Sequence, residues 1–144
     1  NIHLGNGVRC HIPTNEAPKP RHYRACMPYL REDLLAIFHQ SRMNIVITLG
    51  APVTSAFYKE ILGISRVRLT EAFAKNGDLH KIIKENGDPL NFHVFSTYHP
   101  SAVLRNNNHI NAVHSHMQLV SDCLNNTMAK PSKPNIKPTR SPNP

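Results

Sequence analysis

The sequence predicts an α/β protein, a three-layer α/β/α domain built on a central, mainly parallel sheet. Three observations carry that prediction. The run Ile45-Val46-Ile47-Thr48-Leu49 is continuously apolar, as in strands covered on both faces, and Gly50 closes it. The segment from Phe92 to Thr97 is rich in aromatic and β-branched residues that suit a pleated sheet. Stretches of helical spacing lie before, between and after these runs, an alternation that implies parallel strands joined by right-handed crossovers.

Taken in chain order, Ile2-His3-Leu4 reads like the approach of a strand. With Asn1 in first place rather than Met, the chain is expected to begin inside a fold, as a fragment or a processed product does. Leu30, Leu34, Leu35 and Phe38 repeat at helical spacing with Glu32 and Asp33 on the polar side, so Cys26 to Phe38 is predicted helical. After the Ile45 strand, Gly50 opens a helix with Pro52 near its first turn, running through Val53, Phe57 and Ile61 to Gly63. The pattern then weakens. Leu69 to Ala74 and Leu79 to Ile83 are each predicted as short helices, split by Asn76-Gly77 and ended by Asn86-Gly87-Asp88-Pro89. Pro100 ends the second strand, because it has no N–H to offer a ladder and pushes His99 toward extended backbone. Ile110, Val113, Met117, Val120 and Leu124 define a final helix.

Residues 1–126 are expected to form one domain. Residues 127–144 mix frequent prolines with Lys and Arg and contain no acid, which predicts a disordered tail with polyproline character and a loose attraction to phosphate. With 144 residues, 40% of them hydrophobic, the chain is long enough for one real core and too short for two. Seventeen Lys and Arg against nine Asp and Glu leave a net charge of +8, and ten histidines add charge below neutrality, so a polyanion is the natural partner. No apolar run reaches membrane-spanning length and no basic-then-apolar leader opens the chain. Three cysteines at wide spacing do not suggest a secreted disulfide framework, which points to a reduced, intracellular setting and, with the charge, to a cytoplasmic, nucleoid-associated monomer.

The most informative stretch is Val94-Phe95-Ser96-Thr97-Tyr98-His99-Pro100-Ser101-Ala102-Val103-Leu104-Arg105, an apolar strand that runs straight into a histidine-headed loop carrying Ser, Leu and Arg. The carboxyl end of a strand is where open α/β sheets place their ligand sites, and this combination suits chemistry on nucleic acid.

Four pieces of sequence then carry a family resemblance. They are Gly5-Asn6-Gly7-Val8-Arg9-Cys10, Pro18 through Cys26-Met27-Pro28-Tyr29-Leu30, Ile45 through Gly50-Ala51, and Thr97-Tyr98-His99-Pro100-Ser101-Ala102-Val103-Leu104-Arg105. Their order over roughly residues 4 to 125 resembles the uracil-DNA glycosylases, most of all the iron–sulfur branch of that superfamily. A lone His-Pro-Ser is weak and the strand-Gly-Ala turn is generic; the joint order is what carries the likeness.

The resemblance implies a base-excision repair enzyme that hydrolyses the N-glycosidic bond of uracil in DNA. His99 would be the catalytic group, donating to the uracil oxygen on which negative charge gathers as the base leaves. Asn6 would read the base, since one carboxamide offers both an acceptor and a donor to uracil N3–H and O4. Pro100, Ser101, Leu104 and Arg105 would meet the DNA: Leu104 filling the stack left by the extruded base, at a cost of roughly a few kcal/mol for unstacking, and Arg105 on phosphate or in the minor groove. Cys10 and Cys26 resemble two of the four thiolates that hold a [4Fe–4S] cluster in the intact protein.

Competing readings of the same residues stay open. His99 also fits a strand-end cap, Gly5-Asn6-Gly7 an ordinary turn, and Val103 or Leu104 the core face of the last helix. Cys10 and Cys26, with His11 or His22, are alternatively zinc ligands or plain structural cysteines, and Cys123 reads as an inert thiol. The family's upstream Gly-rich loop and water-positioning residue have no counterpart here, so the chain is expected to be catalytically incomplete by itself, and Asn76 to Pro89 departs from the compact Arg-Gly connection of relatives, which leaves substrate contacts there open. The alternatives in function are a noncatalytic DNA-binding module associated with replication proteins and an unrelated α/β metal or redox protein.

Overall fold

Pro20, and not Cys26, starts the first helix of the computed structural model, which describes residues 2–9, 12, 16–40 and 42–128. Helix α1 (Pro20–Ile37) has proline in its first turn, where the missing N–H has no helical partner to lose. Lys19 is extended before it, and its backbone N–H donates to His22 Nδ1 at 2.9 Å. The earlier start adds Tyr23 to the buried stripe formed by Cys26, Met27 and Leu34. Pro28 sits inside the helix without ending it.

Strand β1 (Ile45–Leu49) leads through Gly50 into helix α2 (Ala51–Glu60), which stops short of the predicted Gly63, and helix α3 (Leu69–Ala74) follows as the sequence predicts. Leu79–Ile83 is not a helix. It is strand β2, paired antiparallel with β3 (Pro89–Thr97) in the register Leu79↔His93 to Ile83↔Pro89. The segment read as a helix stop, Asn86-Gly87-Asp88, is the turn of this hairpin. Gly87 takes φ +86, Asn86 Oδ1 accepts from Asp88 N at 3.0 Å, and Lys84 N donates to Asp88 O at 2.9 Å. A period of two, with Ile82 buried and Leu79 and Ile83 exposed, fits the strand.

The described sheet has the order β1-β3-β2, with β1 parallel to β3 from Ile45↔His93 to Leu49↔Thr97. It is a mixed sheet, with one parallel and one antiparallel pairing. Ile2 and Leu4 belong to no strand and are 90% and 96% exposed. Downstream of β3 come the short helix α4 (Pro100–Arg105), a 3₁₀ turn at Asn107–His109, and the long helix α5 (Ile110–Met128). The tail expected beyond it lies outside the described residues.

Central strand β3 is covered on both faces. Leu90, Phe92 and Val94 pack with Leu34 and Phe38 of α1, Phe57 and Tyr58 of α2, and Ala72 of α3. Phe92 is the hub, with its ring centroid 5.0 Å from Phe38 and 6.5 Å, edge-on, from Phe57. On the opposite face Phe95 and Thr97 are buried, and α5 closes over them through His116. Helices on both sides of a sheet make the α/β, three-layer architecture. No described helix is long and apolar enough to cross a membrane.

Candidate active site

Three sets of hydrogen bonds hold the end of β3. The Asn76 carboxamide pairs with the backbone of Ser96 as a strand would, donating to its carbonyl at 3.0 Å and accepting from its N–H at 2.7 Å. The Ser96 hydroxyl lies 2.7 Å from Thr48 Oγ1 in β1, which in turn lies 2.8 Å from Thr54 Oγ1 in α2, so a buried line of hydroxyls joins three elements. Thr97 Oγ1 meets His116 Nδ1 at 2.9 Å. Burial pushes the His116 pKa below the ordinary imidazole value, which keeps this ring neutral. Sequence reasoning missed all three sets. Asn76 reads locally as half of an Asn-Gly turn, and His116 as a surface or packing residue; only the tertiary fold gives them partners.

From this anchored end the chain enters His99, which is exposed. Its backbone is extended at φ −66 and ψ 143, the conformation imposed by the following Pro100, and it caps α4. The Ser101 backbone N–H donates to His99 Nδ1 at 3.1 Å, and the Ser101 hydroxyl lies 2.8 Å from the same nitrogen. An amide N–H can only donate. Nδ1 is therefore the acceptor, and the neutral imidazole carries its proton on Nε2. Among the described residues nothing meets Nε2, so the fold presents one N–H donor outward from the end of the central strand.

Arg105 folds back along α4, its Nε 3.3 Å from Ser101 O and its Nη2 3.5 Å from Ser101 Oγ. Leu104 is 85% exposed and Val103 is half-buried. Leu104 thus does not belong to the core face of the last helix; α4 is a separate piece that projects it into solvent. Pro100, Ser101, Leu104 and Arg105 are brought together around His99 on one short helix.

The opposite wall is the start of α2. Gly50 takes φ +91, and a Cβ built there would stand 3.1 Å from the His99 Cβ. The positive end of α2 lies beside the imidazole as a result, a placement that favours negative charge arriving there. Asn6 is exposed on the segment that precedes α1. Its neighbour Gly7 is wedged against this same corner, where a Cβ would meet Val53 Cγ2 at 2.9 Å and Tyr23 Cε1 at 3.0 Å. An Arg9–Asp33 ion pair fastens the segment to α1.

Of the proposed thiolates, Cys26 is 4% exposed on the inner stripe of α1, and Cys10 and His11 lie outside the described residues. Among the described residues no three His, Cys, Asp or Glu side chains are grouped to hold a metal ion. Of the two proposed thiolates, Cys26 is the one that lies among the described residues.

The fold and site define an α/β domain that aims a neutral imidazole donor from the end of its central strand. Residues 1–120 match the family described as the uracil DNA glycosylase superfamily, and the chain belongs to that superfamily. Among curated relatives it is 33% identical over 110 residues to a type-4 uracil-DNA glycosylase of Saccharolobus solfataricus, an alignment that covers 74% of this chain and 44% of the relative. It is 27% identical over 110 residues to a type-4 uracil-DNA glycosylase of Thermotoga maritima, covering 74% of this chain and 46% of that protein. The chain spans less than half the length of these relatives. No solved structure matches it significantly.

Proposed function

We propose that the protein carrying this chain hydrolyses the N-glycosidic bond of uracil in DNA, with His99 as the group that stabilises the departing base. Breaking the C1′–N1 bond sends its electron pair into the uracil ring, where the charge spreads onto O2. Water bonds to C1′, and the proton it loses passes through solvent to N1 of the released uracil anion. A neutral Nε2–H aimed at O2 stabilises that anion without surrendering its proton, and the positive end of α2 lowers its energy further. The observation that carries the reading is the Ser101 N–H on Nδ1, because it fixes the tautomer that leaves a donor on Nε2.

In this reading Asn6 pairs with uracil N3–H and O4, Leu104 takes the place of the extruded base, and Pro100, Ser101 and Arg105 contact the DNA backbone. The net charge of +8 suits a polyanionic partner. Cys10 and Cys26 would contribute two of the four thiolates of a [4Fe–4S] cluster in the intact protein. Iron and sulfide analysis of the intact protein, with Cys26→Ser beside it, tests that part separately: the variant should lose the metal.

The main test is strand cleavage after base removal on a uracil-containing oligonucleotide, using the intact protein and its His99→Ala variant. A drop of about 10²–10³ in kcat is expected, the usual loss on removing one such donor. An intact protein that binds the DNA and leaves uracil in place refutes the reading and marks a noncatalytic DNA-binding module instead.

A further inference from the structure

A stack of rings closes the neck of the loop that carries His99. Tyr98, the residue before His99, lies face to face with His109, ring centroids 3.9 Å apart and planes within 20°. Phe73 of α3 meets Tyr98 edge-on at 5.1 Å. Phe73 is itself backed by His116, at 4.2 Å, and His116 is buried and bonded to Thr97. The stack therefore runs from the buried end of β3 to the first residue after the loop.

The topology makes this contact consequential. Residues 99–108 run between Tyr98, just past the end of β3, and His109, just before α5, and every residue proposed to meet DNA beyond Asn6 lies between those two points. The backbone bonds within the loop, Ala102 N to His99 O, Asn106 N to Ala102 O and His109 N to Asn106 O, are all local. Among the described residues no backbone hydrogen bond crosses the neck. Side chains join its two sides: the Thr97–His116 bond at the buried base and, next to the loop itself, the Tyr98–His109 ring contact. Stacked rings resist both sliding and separation, so they fix the direction in which the loop leaves the sheet.

We propose that His109 is a positioning residue: its ring, stacked on Tyr98, aims the His99 loop at the substrate. The assignment rests on the glycosylase reading for its effect on catalysis and is independent of it for its effect on the loop. Without the stack the loop spends only part of its time in the aimed arrangement, and the rate falls with that fraction while the surfaces that bind DNA remain.

Two measurements on the intact protein test this, with His109→Ala and His109→Phe. Hydrogen exchange of residues 99–108 should quicken about tenfold in His109→Ala and return to the parental rate in His109→Phe, with β3 unchanged. On uracil-containing duplex, kcat should fall about tenfold in His109→Ala with KM little altered, and His109→Phe should recover it. Unchanged loop exchange in His109→Ala overturns the proposal, and so does a His109→Phe variant as impaired as the alanine. Quickened exchange in a protein that never acts on uracil upholds the clamp and refutes the glycosylase reading.

Discussion

Gly50 and His99 touch across the corner where β1 turns into α2 and β3 turns into α4, close enough that a methyl group on Gly50 would stand 3.1 Å from the His99 Cβ. The two turns are held in step because β1 and β3 are parallel neighbours whose last paired residues are Leu49 and Thr97, and Gly50 N donates to Thr97 O at 2.8 Å. The position of the imidazole is thus a property of the sheet.

Gly50→Ala tests this coupling. At φ +91 and ψ 162 the backbone occupies a region open essentially to glycine alone, so the substitution should cost about 1–3 kcal/mol of stability. The new methyl must also displace His99. Chemical denaturation should show the stability loss, and glycosylase activity of the folded fraction should fall further than the unfolded fraction explains.

Ser101→Ala should be milder than His99→Ala. It removes the hydroxyl 2.8 Å from Nδ1 and leaves the Ser101 backbone N–H in place, so the tautomer survives with weaker support. A loss of about tenfold in kcat is expected, against about 10²–10³ for His99→Ala. Equal losses in the two variants would mean that the hydroxyl acts on substrate directly.

Asn6→Asp replaces a donor and acceptor pair by two acceptors when the carboxylate is ionised. Discrimination between uracil and cytosine should weaken, read as the ratio of kcat/KM on oligonucleotides that differ in that one base. An unchanged ratio removes Asn6 from base reading and leaves Gly5-Asn6-Gly7 as a turn.

The parts of this architecture legible in the sequence are those set by local chemistry. Ile45–Leu49 announces a covered strand because all five residues tolerate burial on both faces, and Pro100 marks where β3 stops because it lacks an N–H. Leu79–Ile83 was less legible, since five residues of mixed character carry too short a period to separate strand from helix. The hairpin turn at Asn86-Gly87-Asp88 is the signal that distinguishes them, and it reads equally as a helix stop. The start of α1 is hidden because Tyr23 joins the buried stripe through its place beside Gly7, a neighbour that only the fold supplies. The Asn76 clamp on Ser96 depends on residues twenty apart in sequence that only the fold brings together.

Leu104→Ala should separate duplex from single-stranded substrates. At 85% exposure Leu104 contributes little to the core, so the fold should keep its stability within about 0.5 kcal/mol. On the proposed reading Leu104 fills the stack, so its removal raises the cost of extruding a base from duplex and leaves an already unstacked base unaffected. Activity on uracil in duplex should therefore fall while activity on single strands holds. Arg105→Ala, by contrast, should lower the slope of log affinity against log salt by about one.

Stability should fall as the solution is made mildly acidic, and His116 is one cause. His116 is 8% exposed and bonded to Thr97 Oγ1, and burial holds its folded pKa below the ordinary imidazole value of 6.5. Between that depressed value and 6.5 the unfolded chain binds a proton that the folded ring refuses. Its contribution is complete above about pH 6.5 and drains away as pH falls through the folded pKa, with a slope of at most about 1.4 kcal/mol per pH unit for one histidine. Burial lowers His80 as well, against an opposing pull from Asp78, so removing His116 should reduce the dependence without abolishing it. Urea unfolding of the intact protein and of His116→Gln, each at neutral and at mildly acid pH, supplies the comparison. The variant starts less stable because it loses a fitted ring, yet it should lose less between the two conditions; an equal loss in both proteins would show that His116 titrates alike in the folded and unfolded chains.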